Sequence, residues 1–450
     1  MAGEDKKNSN NRSGEAITNG TTNQPLNTKV EAIINNLIIN IFFDGTGNNL
    51  TNTHERLKGT NKHKGTSYEN FYTNVALLYM SANKSNKMEK LYIEGSGTRN
   101  SGKDDLGGLG MGTGPTGIGG KTEKALSQIK ELVERNNATS LTLNMFGFSR
   151  GSAFARYFCN LVKNDNLLKT SSININSKDI TINFLGLYDT VASIHAPIAH
   201  KKNVSQYKLN IGKNLGIKRF VHLTAENEYR SNFRVVTIDQ AIKDGIGYEC
   251  SLPGAHADIG GAYNPSSPEE EYFISCWNNS DVIYDGEIHW SWFAKKGYYR
   301  GIPNDKNNNL KIKINGNSKV VTASRIVLNN YQYISFKSMR DIAIAWTSCP
   351  FNLNNSFVTN GLNSVKNTPI LNAFNSYVEK NITNKAKNKK NIGSFSLTTA
   401  NAVAEKIISP DQAQALYQQF IHNSLRPEKI PYKGVEQKNN KEPMRGKYIG

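Results

Sequence analysis

The sequence is poor in cysteine. Its four, Cys159, Cys250, Cys276 and Cys349, are scattered without a CxxC pair. That pattern excludes a disulfide-stapled scaffold and a zinc-finger framework, and suits free thiols in a protein made in the cytoplasm. The first twenty residues, MAGEDKKNSNNRSGEAITNG, lack an apolar core, so no secretory signal peptide is expected. Work outside the cell would then need a carrier other than the general export route. No stretch approaches the roughly 18 apolar residues of a transmembrane helix. Acidic residues are scarce beside basic ones, 37 against 55, which gives a net charge of +18. Two readings stay open: solubility with a bias toward Asn and Lys, or an anionic partner such as a lipid surface, worth roughly 1 kcal/mol per basic residue within reach. No RNP-like aromatic motif or helix-turn-helix is present, so nucleic acid is not expected as a partner.

What is present is an α/β rhythm. The 450 residues are ample for a large core. Residues 1–32 are polar and read as a disordered tail or carrier-docking segment, with structure expected from Ile33. Leu37 to Phe43 is a β-branched and aromatic run that stops at Asp44-Gly45-Thr46-Gly47, a buried strand ending in a tight loop. Glu69 to Met80 has a helical look, Lys90 to Ile93 reads as a short strand, and residues 95–120 are too Gly-dense for a helix or strand interior. A helix over 121–135, a strand over 140–148 and a helix over 152–163 follow. Two more strands are predicted at 181–188 and 233–237. Strands alternating with helices predict a mostly parallel sheet covered on both faces. The core is thus placed at 33–265. Residues 266–425 read as a lid or insertion with C-terminal helical parts, loop-like over 267–320, then a strand, a helix over 336–345 and helices within 400–423. The basic tail 426–450 reads as loose.

The strand over 140–148 runs into Gly147-Phe148-Ser149-Arg150-Gly151, and a helix begins directly after. This is the G-x-S-x-G turn, in which glycines relieve the crowding around a serine held on strained backbone, and the following helix aims free amides at the reaction centre. The same residues could form a plain strand-to-helix turn. A serine hydroxyl needs a base, and the base an orienting carboxylate. His256, in the irregular loop Pro253-Gly254-Ala255-His256-Ala257-Asp258, is the best placed of the eight histidines for the chain order serine, acid, histidine. Asp189 lies where the 181–188 strand ends, the edge at which sites form in open α/β sheets; Asp239 is the fallback. Asp258 reads as a brace for its own turn. The backbone amides of Arg150 and of Gly45 or Thr46 are candidates for holding an oxyanion. The chemistry calls for no cofactor and no metal. Pro115 to Thr122 imitates a phosphate-binding loop, but Pro115 stands where glycine is required and no strand runs directly into it.

Taken in order, FFDGTGNN at 42–49, YIEGSGT at 92–98, GFSRG at 147–151, FLGLYDTVAS at 184–193, HLTAENEYRSNF at 222–233 and PGAHADIGGAY at 253–263 resemble the α/β-hydrolase family that includes the first class of type VI secretion lipase effectors. The resemblance spans roughly residues 36–265. It implies phospholipid hydrolysis of the A1 or A2 type, with Ser149 as nucleophile, Asp189 as acid and His256 as base. It also implies delivery by a type VI carrier (VgrG, Hcp or an adaptor), action at the periplasmic membrane of a rival bacterium, and a cognate immunity protein. The segment 286–300, with Trp290, Trp292 and Phe293 among lysines, suits a membrane interface or a packed surface insertion. A serine esterase on a soluble substrate and a non-enzymatic scaffold of the same fold remain the alternatives.

Overall fold

The central sheet has seven strands, all parallel, in the order β2-β1-β3-β4-β5-β7-β13. They are β1 (Asn36–Phe43), β2 (Met88–Ile93), β3 (Ser140–Phe148), β4 (Ile180–Tyr188), β5 (Phe220–Ala225), β7 (Gly247–Leu252) and β13 (Gly393–Ser396). This architecture comes from a computed structural model, which describes residues 35–164, 168, 173–195, 200–276, 283–284, 288–289, 295–299, 310–315, 318–424, 436–437, 443–445 and 447–449. The tail expected at 1–32 lies outside them.

A parallel strand covered on both faces must be apolar on both, which is why Leu37 to Phe43 is a nearly unbroken hydrophobic run. Ile39, Ile41 and Phe43 join a core with the helices Ile118–Arg135 and Arg150–Asn164. Phe42 and Phe146, stacked at 4.8 Å, face the other layer, built on the helices Asn74–Ser81 and Gln332–Thr347. The chain leaves β1 for β2 on one side and returns to β3 on the other. The loops after β1 and β3 therefore diverge at a topological switch point, where α/β sheets open a crevice.

Several sequence expectations need correction. The stretch 69–80 is not one helix: a short turn ends at Glu69, and the helix Asn74–Ser81 starts afresh because the Thr73 hydroxyl accepts the Ala76 amide. The predicted strand 233–237 shrinks to β6 (Val235–Val236), outside the central sheet. The positions after β4 belong instead to β5 and β7, whose inward polar residues His222 and Glu249 hide them from an apolar-run reading; the pair satisfies itself at 2.9 Å. The region 267–320 is not loop throughout. β8 (Ser266–Cys276), β9 (Ile283–Tyr284), β10 (Ile288–His289), β11 (Leu310–Asn315) and β12 (Ser318–Leu328) form a five-stranded antiparallel sheet; its central pair, β8 with β12, joins distant stretches and leaves no local signal, whereas Asn315 opposite Ser318 is a hairpin spacing that the loop-like reading passed over. Nor is the tail wholly loose. β14 (Glu436–Gln437) pairs with β15 (Pro443–Met444), and β16 (Lys447–Tyr448) runs parallel to β6.

Candidate active site

Ser149 sits on the turn between β3 and the helix Arg150–Asn164, with φ +58°, a left-handed conformation that costs a non-glycine residue. The positions two residues to either side of it must be glycine. A Cβ on Gly147 would stand 2.7 Å from Ser152 Cα, and one on Gly151 only 2.3 Å from the Asp44 carbonyl oxygen. The turn is thus wedged between the helix start and the loop after β1.

His256 Nδ1 lies 2.5 Å from Asp189 Oδ2. Asp189 also has a positive φ, +43°, which turns its side chain back from the end of β4 toward the loop carrying His256. Its Oδ1 accepts the Ala225 amide at 2.9 Å. The imidazole is clamped between the Phe148 ring, 4.5 Å away, and the edge of Phe233 at 5.0 Å. Its amide donates to Glu228 Oε2 at 3.2 Å, and Glu228 is itself gripped by Arg230. With Nδ1 committed, His256 Nε2 is the ring atom left without a hydrogen-bond partner among the described residues, as a proton acceptor must be. Burial pushes the Asp189 carboxyl up, but the Arg445 charge and the His256 hydrogen bond outweigh it and leave the group well below the usual carboxylate range. Burial holds His256 below its ordinary value, against the raising pull of Asp189 and Glu228.

The loop after β1 is fixed by its own aspartate. Asp44 Oδ1 accepts the Gly45 amide and the Thr73 hydroxyl, both at 2.7 Å, and Oδ2 accepts the Tyr92 hydroxyl at 2.5 Å. Burial pushes this carboxyl up to about 6. The Gly45 amide is therefore spent. Of the two residues expected on this loop, Thr46 is the one whose amide donates to nothing among the described residues, and the Arg150 amide is likewise unengaged. The Arg150 side chain has a separate task. Its Nε donates to Thr46 Oγ1 at 2.6 Å, while its Nη atoms reach the carbonyls of Gly108, Leu109 and Gly110. The Gly-rich segment thus wraps a buried guanidinium, and a Cβ at Gly112 would come within 2.9 Å of it.

Other sequence candidates fall elsewhere. Asp239 begins the helix Asp239–Lys243 and bonds the Thr237 hydroxyl; it has no contact with His256. Asp258 braces its turn by accepting the Ala255 amide at 2.8 Å. Lys121, the lysine of the phosphate-loop lookalike, is buried in an ion pair with Glu94 at 2.9 Å and donates to the Thr98 carbonyl. Trp290, Trp292 and Phe293 lie outside the described residues. Among the described residues no group of three His, Cys, Asp or Glu side chains could hold a metal, and no helix is long and apolar enough to cross a membrane. Sequence reasoning missed Arg445, whose Nη2 lies 2.9 Å from Asp189 Oδ2; a lone arginine in a basic tail carries no local signal.

The family model for the type VI secretion phospholipase effector Tle1-like catalytic domain matches residues 36–177 and 163–282. The chain belongs to this family. Membership in the Tle1-like family makes it a lipid-ester hydrolase of the type VI effector class, a secreted phospholipase toxin. Among solved structures it is similar to a Tle1 effector bound to the VgrG spike of the type VI secretion system. The identity is 21%, over 87% of this chain and 85% of that one, with a TM-score of 0.56, and this likeness bears out the α/β-hydrolase-like fold. An uncharacterized protein from Pseudomonas aeruginosa shares 21% identity over 51% of this chain and 42% of that one, with a TM-score of 0.34. No curated protein matches the chain. The Tle1-like match spans all the loops that carry Ser149, Asp189 and His256.

Proposed function

We propose that the chain is a phospholipase of the A type acting through Ser149, His256 and Asp189. One observation carries this reading: a serine on a strained strand-to-helix turn directly follows Phe148, whose ring packs at 4.5 Å on a histidine whose Nδ1 is tied to a carboxylate and whose Nε2 has no partner among the described residues. In the proposed reaction Ser149 Oγ attacks the acyl carbonyl of a glycerophospholipid, and His256 Nε2 takes its proton. Asp189 stabilises the imidazolium without itself being protonated. The amides of Arg150 and Thr46 receive the charge that develops on the carbonyl oxygen. The imidazolium then protonates the departing glyceryl oxygen, and water, activated by the same base, releases the fatty acid.

The family supports delivery as a type VI effector, and the solved relative bound to VgrG suggests that spike as the carrier. Action at the periplasmic face of a target membrane, and a cognate immunity protein in the producer, complete the proposal. The decisive experiment is product analysis on phospholipid labelled separately at each acyl position. Release of one labelled fatty acid by the parent, and of neither by Ser149→Ala, is expected. Hydrolysis of a soluble nitrophenyl ester without activity on phospholipid would favour the esterase alternative.

A further inference from the structure

The carboxylate of Asp189 has a third partner. Its Oδ2 receives both His256 Nδ1, at 2.5 Å, and Arg445 Nη2, at 2.9 Å. The same guanidinium donates from Nη1 to the Ala225 carbonyl at 2.8 Å and from Nη2 to the Phe233 carbonyl at 2.9 Å. Ala225 returns its amide to Asp189 Oδ1, so acid, strand end and guanidinium close a ring. Phe233 is the residue whose ring meets the edge of His256. Arg445 thus holds the acid and one wall of the imidazole pocket together.

Its side chain is buried, and the segment around it is docked. Lys447 and Tyr448 pair with Val235 and Val236, the Thr237 amide donates to the Tyr448 carbonyl at 2.9 Å, and Arg234 lies over the Tyr448 ring at 5.3 Å. The receiving strand is anchored from the elbow helix: Arg156 donates to the carbonyls of Val236 and Thr237 at 2.9 and 2.8 Å.

We infer that Arg445 is a positioning residue of the hydrolytic centre, supplied by the C-terminal segment, which fixes the Asp189 carboxylate in the orientation that aligns His256. The inference rests on the proposed triad. A carboxylate taken out of water tends to recover its proton, and a protonated Asp189 could no longer steady an imidazolium. A guanidinium at the same oxygen opposes this together with the His256 and Ala225 hydrogen bonds, which remain when it is removed. Its planar fork spreads three bonds over two nitrogens held in a fixed geometry, where an ammonium would have to reach all three acceptors from a single atom. The charged groups acting on His256 are Asp189 from the end of β4 and Glu228 and Arg230 from the loop after β5, with Arg445 behind Asp189, while Asp258 of its own loop is turned to Ala255 and His422. Removing Arg445 leaves the carboxylates less opposed, so imidazolium is favoured and neutral His256 appears only at higher pH.

The test uses the full chain on phospholipid in detergent micelles. Arg445→Met is expected to lower kcat about 10- to 100-fold, the scale on which outer partners of reactive groups act, with KM changed less than about threefold. The acidic limb of kcat/KM is expected to move to higher pH, which a merely structural role would not produce. Guanidinium ions added to Arg445→Ala are expected to restore part of the rate. Arg445→Lys keeps the charge but not the fork. It should retain an intermediate kcat, and it decides the matter if the Met variant does not fold. Parent-like kcat and pH profile in the Met or Lys variant would overturn the inference, and so would a rise in activity, which would make the tail a brake. Ser149→Ala separates the two levels: if it still hydrolyses phospholipid, the triad reading fails whatever the Arg445 variants do.

Discussion

Asp258 Oδ1 lies 2.6 Å from Nδ1 of His422, which is 164 residues further along the chain. The other oxygen of Asp258 accepts the amides of Ala255 and His422 at 2.8 and 2.9 Å. Ala255 immediately precedes His256, so the chain just past the helix Pro410–Phe420 pins the loop that presents the imidazole. Removing one partner of a buried hydrogen-bonded pair leaves the other unsatisfied and costs about 1–3 kcal/mol. Asp258→Ala should therefore lower the unfolding free energy by that order. In a double-mutant cycle with His422→Ala the two losses should fall short of adding. Strict additivity in urea unfolding would show that the pair is not coupled.

Ser149 offers a separate test of backbone strain. Ser149→Ala and Ser149→Gly both delete the hydroxyl, so both should lose phospholipid hydrolysis by several orders of magnitude. They should differ in stability. Glycine adopts φ +58° without the penalty alanine suffers, and after its own entropy cost the glycine variant should be more stable than the alanine variant by about 1 kcal/mol. Equal denaturation midpoints would mean that the turn is not strained.

Gly151 admits no side chain, because a Cβ would stand 2.3 and 2.4 Å from the carbonyl oxygens of Asp44 and Phe43. Both contacts are backbone, so relief requires the elbow and the loop after β1 to separate. Gly151→Ala is expected to cost about 2 kcal/mol or more and to depress kcat by shifting the Thr46 amide. A well-folded variant of normal kcat would contradict the close approach.

The Arg150 side chain and its amide can be told apart. Arg150→Ala keeps the amide but removes the guanidinium that ties Thr46 Oγ1 to the carbonyls of Gly108 to Gly110. Residues 105–117 should then exchange amide hydrogens faster, and kcat should fall about tenfold or more, as when a supporting shell loosens by a fraction of an ångström. Unchanged exchange across this segment would refute the staple.

Two pH effects have opposite signs. In the proposed mechanism catalysis needs neutral His256, so kcat/KM should fall with decreasing pH only as pH passes through a value that burial holds below the ordinary 6.5. Asp189, held low, stays ionised throughout that range. Asp44 acts on stability the other way. Its carboxyl titrates near 3.8 when unfolded and about 6 when folded, so between those values the folded state binds the extra proton. The stability from that proton is present below the unfolded value and is lost as pH rises through about 6. At 1.36 kcal/mol per unit the loss is about 3 kcal/mol. Asp44→Asn should thus gain about that much relative to the parent between pH 3.5 and 7.5, measured by denaturant unfolding. A constant difference across that range would exclude the buried carboxyl as its source.

The centre of the fold could be read because it obeys local rules. Apart from the buried pair Asn40 and Asn144, the inner parts of β1 and β3 are apolar and lead to glycines, and Ser149, Asp189 and His256 follow strand ends in the order the proposed chemistry needs. What could not be read depends on distant partners. β5 and β7 carry His222 and Glu249, polar residues that look wrong for a buried strand until their pairing is seen. β8 and β12 join across an intervening stretch longer than any hairpin. Gly45 and Thr46 looked equivalent as amide donors, and only the side chain of Asp44 divides them. Arg445 has no motif at all, since its three acceptors lie in β5, at Phe233 and at Asp189.

The Arg445–Asp189 contact joins residues 256 apart, which sets a clock on synthesis. At about 5–20 residues per second, some 10 to 50 s separate the translation of Asp189 from that of Arg445. From the synthesis of His256, 67 residues into that interval, Ser149, Asp189 and His256 have all been made, yet the acid still lacks its guanidinium. If Arg445 positions the acid as inferred, the nascent toxin is unfinished as a catalyst until that arginine has been made.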